Sequence, residues 1–418
     1  MRFHVLSKTS QDVPNPRPLL GCWPFVLFWF ARIFSAIAFQ VSAVAVGWQI
    51  YSLTGSAFQL GMVGLVQFIP MVMLTLVVGQ AADRFDRRSI VRNCQAIMGC
   101  AVAVLALGSF TGRLHTAGIF GVVAVMGASR SFEHPTFSTL LPGLVEASLL
   151  PKAAAAIASA IQTAIIIGPA MGGFLYTAGP TVAYGVAASL FLLASLFSAL
   201  IRIERLPLRS ADKGFDSLFS GIRFIWSRPA VLGAISLDLF AVLLGGAIAL
   251  LPIYARDILH TGPWGLGVLR SAPAVGALTM SFILAHYPIE HKIGQKMFTG
   301  VTVFGIATMI FGVSNSLILS LGALVVLGAA DVVSVVIRMT LVQIATPDQM
   351  RGRVSAVNSL FIGTSNQLGE FESGVTAALF GTVPAVLIGG LGTIAVALIW
   401  MRLFPELRDA DRFGGMPL

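Results

Sequence analysis

The stretch Ala57–Phe110, AFQLGMVGLVQFIPMVMLTLVVGQAADRFDRRSIVRNCQAIMGCAVAVLALGSF, holds two apolar runs joined by a short polar loop. The runs are Ala57–Val78 and Ser89–Phe110, and the loop between them carries Asp83, Arg84, Asp86, Arg87 and Arg88. An α-helix rising 1.5 Å per residue crosses a hydrocarbon core of roughly 30 Å in about 20 residues. A barrel strand would be about half that length and would alternate apolar with polar. Neither run alternates, so the stretch reads as a hairpin of two membrane helices with a basic loop.

The same unit recurs along the chain. Of its 418 residues, 56% are hydrophobic and 11% charged, with a mean hydropathy of +0.87. Soluble domains carry about 25% charged residues, so this chain lacks the charge to cover a water-exposed surface. In lipid, where backbone groups must be satisfied internally, helices are the spanning solution that fits these run lengths. Twelve spans are expected, near residues 20–51, 57–78, 89–110, 118–141, 153–176, 181–201, 231–254, 265–286, 297–313, 316–344, 354–380 and 383–403. They divide into an N-terminal tail (1–19), a six-helix bundle (20–201), a central loop (202–229), a second six-helix bundle (230–403) and a C-terminal tail (404–418). The first apolar run is too long for a signal-peptide core and no small-x-small site follows it, so no cleavable signal is expected. Cys22, Cys94 and Cys100 have neither disulfide nor metal spacing.

Charge sets the orientation. With both termini inside, 20 of the 27 Lys and Arg fall on cytoplasmic segments, and two, Arg113 and Arg256, fall on the other side. That asymmetry follows the positive-inside rule, and an inverted topology violates it. The +9 net charge is then directed at anionic headgroups, and no basic face is left for nucleic acid. A bacterial inner-membrane location is expected, with both termini cytoplasmic.

Repetition supports two related halves. Gly127-Ala128-Ser129-Arg130 in the fourth span is echoed by Gly328-Ala329-Ala330-Asp331 in the tenth, at matching depth. The loop Gly79-Gln80-Ala81-Ala82-Asp83-Arg84-Phe85-Asp86-Arg87-Arg88 resembles the signature loop of the major facilitator superfamily, with Asp86 in place of its later glycine. Gly168-Pro169-Ala170-Met171-Gly172-Gly173 in the fifth span is similar to that superfamily's antiporter motif. The region from Asp331 through Arg351-Gly352-Arg353 to Asn366-Gln367-Leu368-Gly369-Glu370 resembles the branch holding the enterobactin exporter and macrolide efflux proteins. The resemblance implies two pseudo-symmetric six-helix bundles around a central cavity. It also implies a gate at Gly79, Asp83, Arg84, Arg87 and Arg88, and a hinge at Gly168, Pro169, Gly172 and Gly173.

A charge near mid-membrane costs about 2.5–3.5 kcal/mol on insertion scales, so each one needs a partner, a cavity or a role. Arg32, Arg130, Glu133, Asp238, Asp331, Arg338 and Glu370 are the candidates, with Glu372 and Arg270 further out. The resemblance places the first, fourth, seventh and tenth helices around the cavity, and six of these charges lie on them. Arg130 with Glu133, and Asp331 with Arg338, share helix faces. Asp331 facing Arg130 across the cavity is the expected proton-coupling arrangement, with Glu370 the alternative carrier.

The resulting expectation is a secondary transporter working by alternating access, exporting an amphipathic or apolar small molecule in exchange for protons. It needs no cofactor beyond the proton gradient, binds no metal and works as a monomer in the bilayer. No Gly-x-x-x-x-Gly-Lys-Ser/Thr sequence is present to bind ATP, and no Ser/His or His-Glu-x-x-His arrangement suggests an enzyme. Uptake, lysolipid flipping and a non-transporting sensor remain open alternatives.

Overall fold

The computed structural model describes residues 19–202 and 214–413, with residues 20, 75–84, 214–219 and 348–349 described in backbone only. Gly79, Asp83 and Arg84 of the expected gate therefore lie outside the residues whose side chains are described. Among the described residues, twelve long helical segments run the length of the bundle. The first six are α1 (Trp23–Thr54), α2 (Ala57–Arg84), α3 (Arg87–Phe110), α4 (Thr116–Leu140), α5 (Leu150–Thr177) and α6 (Pro180–Leu200). The second six are α7 (Pro229–Leu244, with its continuation to Ile258), α8 (Gly262–His286), α9 (Ile293–Val313), α10 (Leu317–Ala345), α11 (Asp348–Phe380) and α12 (Thr382–Leu403). Among the described residues, ten of these are apolar and long enough by themselves to cross a membrane. The other two, α4 and α11, are diluted by Arg130, Glu133 and His134 and by Asn366, Gln367, Glu370 and Glu372. A polar spanning helix is tolerated where its polar face turns to protein or a cavity.

The helix pairing repeats with a shift of six. In the first half α3 packs on α6 and α4, α1 on α6 and α5, and α2 on α4. In the second half α9 packs on α12 and α10, α7 on α12 and α11, and α8 on α10. Two seams join the halves, α5 with α8 and α2 with α11, and the pseudo-two-fold exchanges them. The sequence echo has a packing cause in this arrangement. A Cβ on Gly127 would lie 2.5 Å from the Gln67 carbonyl oxygen of α2, and one on Gly328 would lie 1.9 Å from the Pro273 oxygen of α8. Each glycine lets the fourth helix of its half cross the second at backbone contact.

Glycines also set both seams. Gly173 meets Gly267 across α5 and α8, where an added Cβ would come within 2.5 Å of the Pro263 oxygen. Gly61 meets Gly374 across α2 and α11, with 2.8 Å from an added Cβ to the opposite Cα. Both crossings lie toward the end of the bundle away from the start of α1.

Two features depart from the sequence reading. The seventh span is not one helix: it breaks at Gly245-Gly246 and continues through short turns Ala247–Leu250, Leu251–Ile253 and a π-helical turn Tyr254–Ile258. At the break, a Cβ on Gly246 would sit 2.5 Å from the Gly369 oxygen of α11, so the backbones are in direct contact there. The central connection, read as a polar loop, contains a helix over Gly214–Trp226. That helix lies against α11, where Arg353 donates to Ser220 Oγ at 3.3 Å. Ile225 is 1% exposed while Trp226 is 72% exposed, the two-faced pattern of an interfacial helix.

Candidate functional site

Buried charge falls into three groups, beginning inside the first half. Glu133 of α4 is 3% exposed. Its Oε1 accepts from Ser35 Oγ of α1 at 2.6 Å and from Gln95 Nε2 of α3 at 3.2 Å. Gln95 Oε1 in turn accepts from Ser198 Oγ of α6 at 2.7 Å. Three helices thus meet at one carboxylate, and α6 joins through Gln95. Glu133 acts electrostatically on both Arg130 and Arg32, although none of the described ion pairs joins it to either. Arg130 lies instead over the Phe39 ring, 3.6 Å from its centroid, and Arg32 over Phe137 at 4.6 Å. Such stacking contributes about 0.5–2 kcal/mol, more when desolvated.

The second group ties α7 to α10. Arg338 Nη1 lies 3.1 Å from Asp238 Oδ2, with the side chains 3% and 7% exposed. Arg338 also donates to Asn358 Oδ1 of α11 at 3.1 Å. Asp331, two helical turns before Arg338, lines a small pocket of about 10 Å³ with Asp238, Ser334 and Phe304. The partner of Arg338 is therefore Asp238, not Asp331, and Asp331 is grouped with these residues rather than with Arg130. Ser334 Oγ is buried without a hydrogen-bond partner.

The third group borders a cavity of about 100 Å³ lined by both halves. Its wall from the first half is mainly apolar, with Phe39, Val46, Leu60 and Met126, and also includes the polar Ser42 and Gln67. The opposing wall presents Arg270 of α8 with Gln367 and Glu370 of α11. Arg270 and Glu370 act on each other electrostatically, but no described ion pair joins them. Gln367 Oε1 is buried without a hydrogen-bond partner. Glu372 turns away, accepting from Thr376 Oγ1 of its own helix at 2.7 Å.

Above the cavity, the halves are tied at Tyr51. Its hydroxyl donates to Asp257 Oδ2 in the π-helical turn, and its carbonyl accepts from Arg256 Nη1 at 3.2 Å. The loop arginines at the other end serve the first half. Arg87 donates to the Thr139 oxygen at 3.3 Å and Arg88 to the Ile201 oxygen, so both cover carbonyls at the ends of α4 and α6. Asp86, where the superfamily loop has glycine, caps α3 by accepting from the Arg88 and Ser89 amides. In the fifth helix, added Cβ atoms on Gly168 and Gly172 would meet Gln40 and Val41 of α1. Gly173 alone among them faces the second half, at the seam beside the Pro169 oxygen that Gly267 approaches.

A model of the major facilitator group described as transmembrane secretion effector matches residues 20–414. The chain belongs to this family. Among relatives, the multidrug efflux pump Tap of Mycobacterium tuberculosis is 28% identical over 93% of this chain and 95% of its own length. The enterobactin exporter EntS of Citrobacter koseri is 26% identical over 92% of each. The fold matches a bacterial homologue of the human lysosomal transporter Spinster, in an inward-facing occupied state, at a TM-score of 0.75. That match has 13% identity and covers 95% of this chain and all of the other. The POT-family transporter PepTSo matches at 0.74, with 12% identity over 93% of this chain and 99% of that one. This secretion-effector chain is accordingly a multi-pass membrane transporter of small molecules and not an enzyme. Within it, sequence reasoning missed the polar partners Ser35, Gln95 and Ser198, and gave little weight to Arg270 and Gln367. Short polar side chains on apolar helices carry no signal until the helices are packed together.

Proposed function

We propose that the protein is a proton-coupled exporter of amphipathic small molecules in the bacterial inner membrane, working as a monomer with both termini in the cytoplasm. Export is supported by the efflux pumps among its relatives, and orientation by the basic residues clustered at one end. Coupling is supported by one observation: two carboxylates, Asp238 and Asp331, line one small pocket, and a single arginine, Arg338, acts on both. The group is short of one positive charge, and an uncompensated buried charge is costly. A proton supplies that charge, and rearrangement of α7 against α10 during rocking of the halves releases it. Glu133 is a weaker candidate, since hydroxyl and amide donors already satisfy it.

The closed end of the bundle is read as the periplasmic face, sealed by Tyr51, Arg256 and the glycine crossings, with the cavity directly beneath. Gly79, Asp83 and Arg84 keep their proposed gating role at the cytoplasmic face, and Gly168, Pro169, Gly172 and Gly173 the hinge. The purified protein in proteoliposomes tests the coupling. Asp331→Asn is expected to insert and still bind substrate while losing pH-driven efflux. Undiminished efflux in this variant rejects Asp331 as the carrier.

A further inference from the structure

The cavity wall contributed by the second half carries Arg270 and Glu370, which act on each other electrostatically but are joined by no described hydrogen bond or ion pair. Arg270 offers up to five donors and Glu370 two acceptor oxygens. Between them in function stands Gln367, whose Oε1 is buried and unpartnered. All three come from the second half, on α8 and α11, while the first half supplies an uncharged, mainly apolar face from α1, α2 and α4 whose polar members are Ser42 and Gln67. The charged pair sums to zero. A ligand bearing only a cation would pair with Glu370 and leave Arg270 desolvated and alone, and a ligand bearing only an anion would do the reverse. Stranding a buried charge costs several kcal/mol, so either ligand loses much of what it gains. A head carrying both a cationic donor and an anionic acceptor satisfies both residues at once, and its second donor reaches Gln367 Oε1. From this geometry we infer that the central cavity selects amphiphiles with an apolar, preferably aromatic, body and a zwitterionic head, the body against Phe39 and Met126 and the head between Arg270 and Glu370. The inference rests on the transport reading for the passage of such molecules, while selectivity itself is a property of binding.

Three probes sharing one fluorophore and one tether length separate the possibilities. Nε-dansyl-lysine ends in an ammonium and a carboxylate, dansylcadaverine in an ammonium alone, and 6-(dansylamino)hexanoic acid in a carboxylate alone. Dansyl fluorescence rises on entering an apolar site, so titration of the full-length protein in nanodiscs yields a Kd for each, with empty nanodiscs subtracting partition into lipid. The lysine probe is expected to bind at least about tenfold tighter than either of the others, as sites with paired polar groups reject ligands that strand them. Glu370→Gln should erase its advantage over the carboxylate probe, and Arg270→Gln its advantage over the ammonium probe. Equal affinities in the wild-type protein, or a tighter ammonium probe, overturn the inference even if the variants fail to fold. A lysine-probe preference that survives both substitutions overturns the assignment to this wall. Charge-blind binding beside intact pH-driven efflux rejects the zwitterion reading alone, whereas selective binding without pH-driven efflux rejects only proton coupling.

Discussion

In α1–α6 the buried acid Glu133 is held by a serine hydroxyl and a glutamine amide, and the arginines nearby rest on phenylalanine rings. In α7–α12 the buried acid Asp238 is held by Arg338, and a second acid, Asp331, shares its cavity. The helix pairing of the halves is the same, yet they house charge by opposite means. In the first half the arginines act on Glu133 at a distance while its described hydrogen bonds come from neutral donors. In the second half the acid is held by a direct ion pair, with a further acid beside it. The central cavity repeats this division, with a mainly apolar wall from the first half and Arg270, Gln367 and Glu370 from the second. The comparison teaches that pseudo-symmetry fixes where helices cross, while chemistry is assigned half by half.

The largest effect should come from the seam itself, which both halves share. Gly173→Leu forces a side chain into the space where a bare Cβ would already lie 2.5 Å from the Pro263 oxygen. Overpacking of this kind costs about 1–3 kcal/mol or more, and efflux should drop to background while protein in the membrane, followed by immunoblot, stays near normal. Wild-type efflux would mean that the glycine crossing does not limit movement. The next test breaks the contrast between the acids directly. Glu133→Gln keeps the size and can still accept from Ser35, so it should retain most pH-driven efflux, with thermal stability of the purified protein lowered by about 1–2 kcal/mol. Loss of coupling there, beside intact coupling in Asp331→Asn, would reverse the roles given to the two halves. The smallest effect is expected at the tie between them. Tyr51→Phe removes one hydrogen bond to Asp257 and keeps the ring under Arg256, worth about 0.5–1.5 kcal/mol. A cysteine placed at Gly47, in the cavity wall, should react about two- to tenfold faster with an impermeant thiol reagent added outside. An unchanged rate shows that the tyrosine does not hold the outer end shut.

The spans were legible because apolar run length maps directly onto bilayer thickness, and the repeat was legible because Gly127 and Gly328 answer the same steric need. The break in the seventh helix was not. Val242-Leu243-Leu244-Gly245-Gly246-Ala247-Ile248 is apolar throughout, and hydropathy reports depth in lipid but not straightness. The connecting helix was hidden for a related reason: Phe215, Leu218, Ile222 and Ile225 recur at helical spacing, but the charged residues around them dominate a count of polarity. Pairing of charges was legible only within a helix. Spacing along α10 suggested Asp331 with Arg338, yet Asp238, which lies about 100 residues away in the chain, takes the guanidinium at 3.1 Å. The hydrogen-bond partners of Glu133 come from two other helices, and no local pattern marks a serine or glutamine as facing an acid before the fold brings them together.

The interrupted seventh helix places two devices on one strand of chain. Asp238 sits in the inner segment, bound to Arg338, and Arg256 and Asp257 sit in the outer segment, bound to Tyr51. Were the helix continuous, torque at one device would pass rigidly to the other. With a joint at Gly245-Gly246, seated against the α11 backbone at Gly369, the outer segment forms a short lever with its own pivot. In the proposed proton-coupled cycle, such a lever would swing while the inner segment and its acid stay in register, so that unlatching the outer end and releasing the proton would be separate events in time.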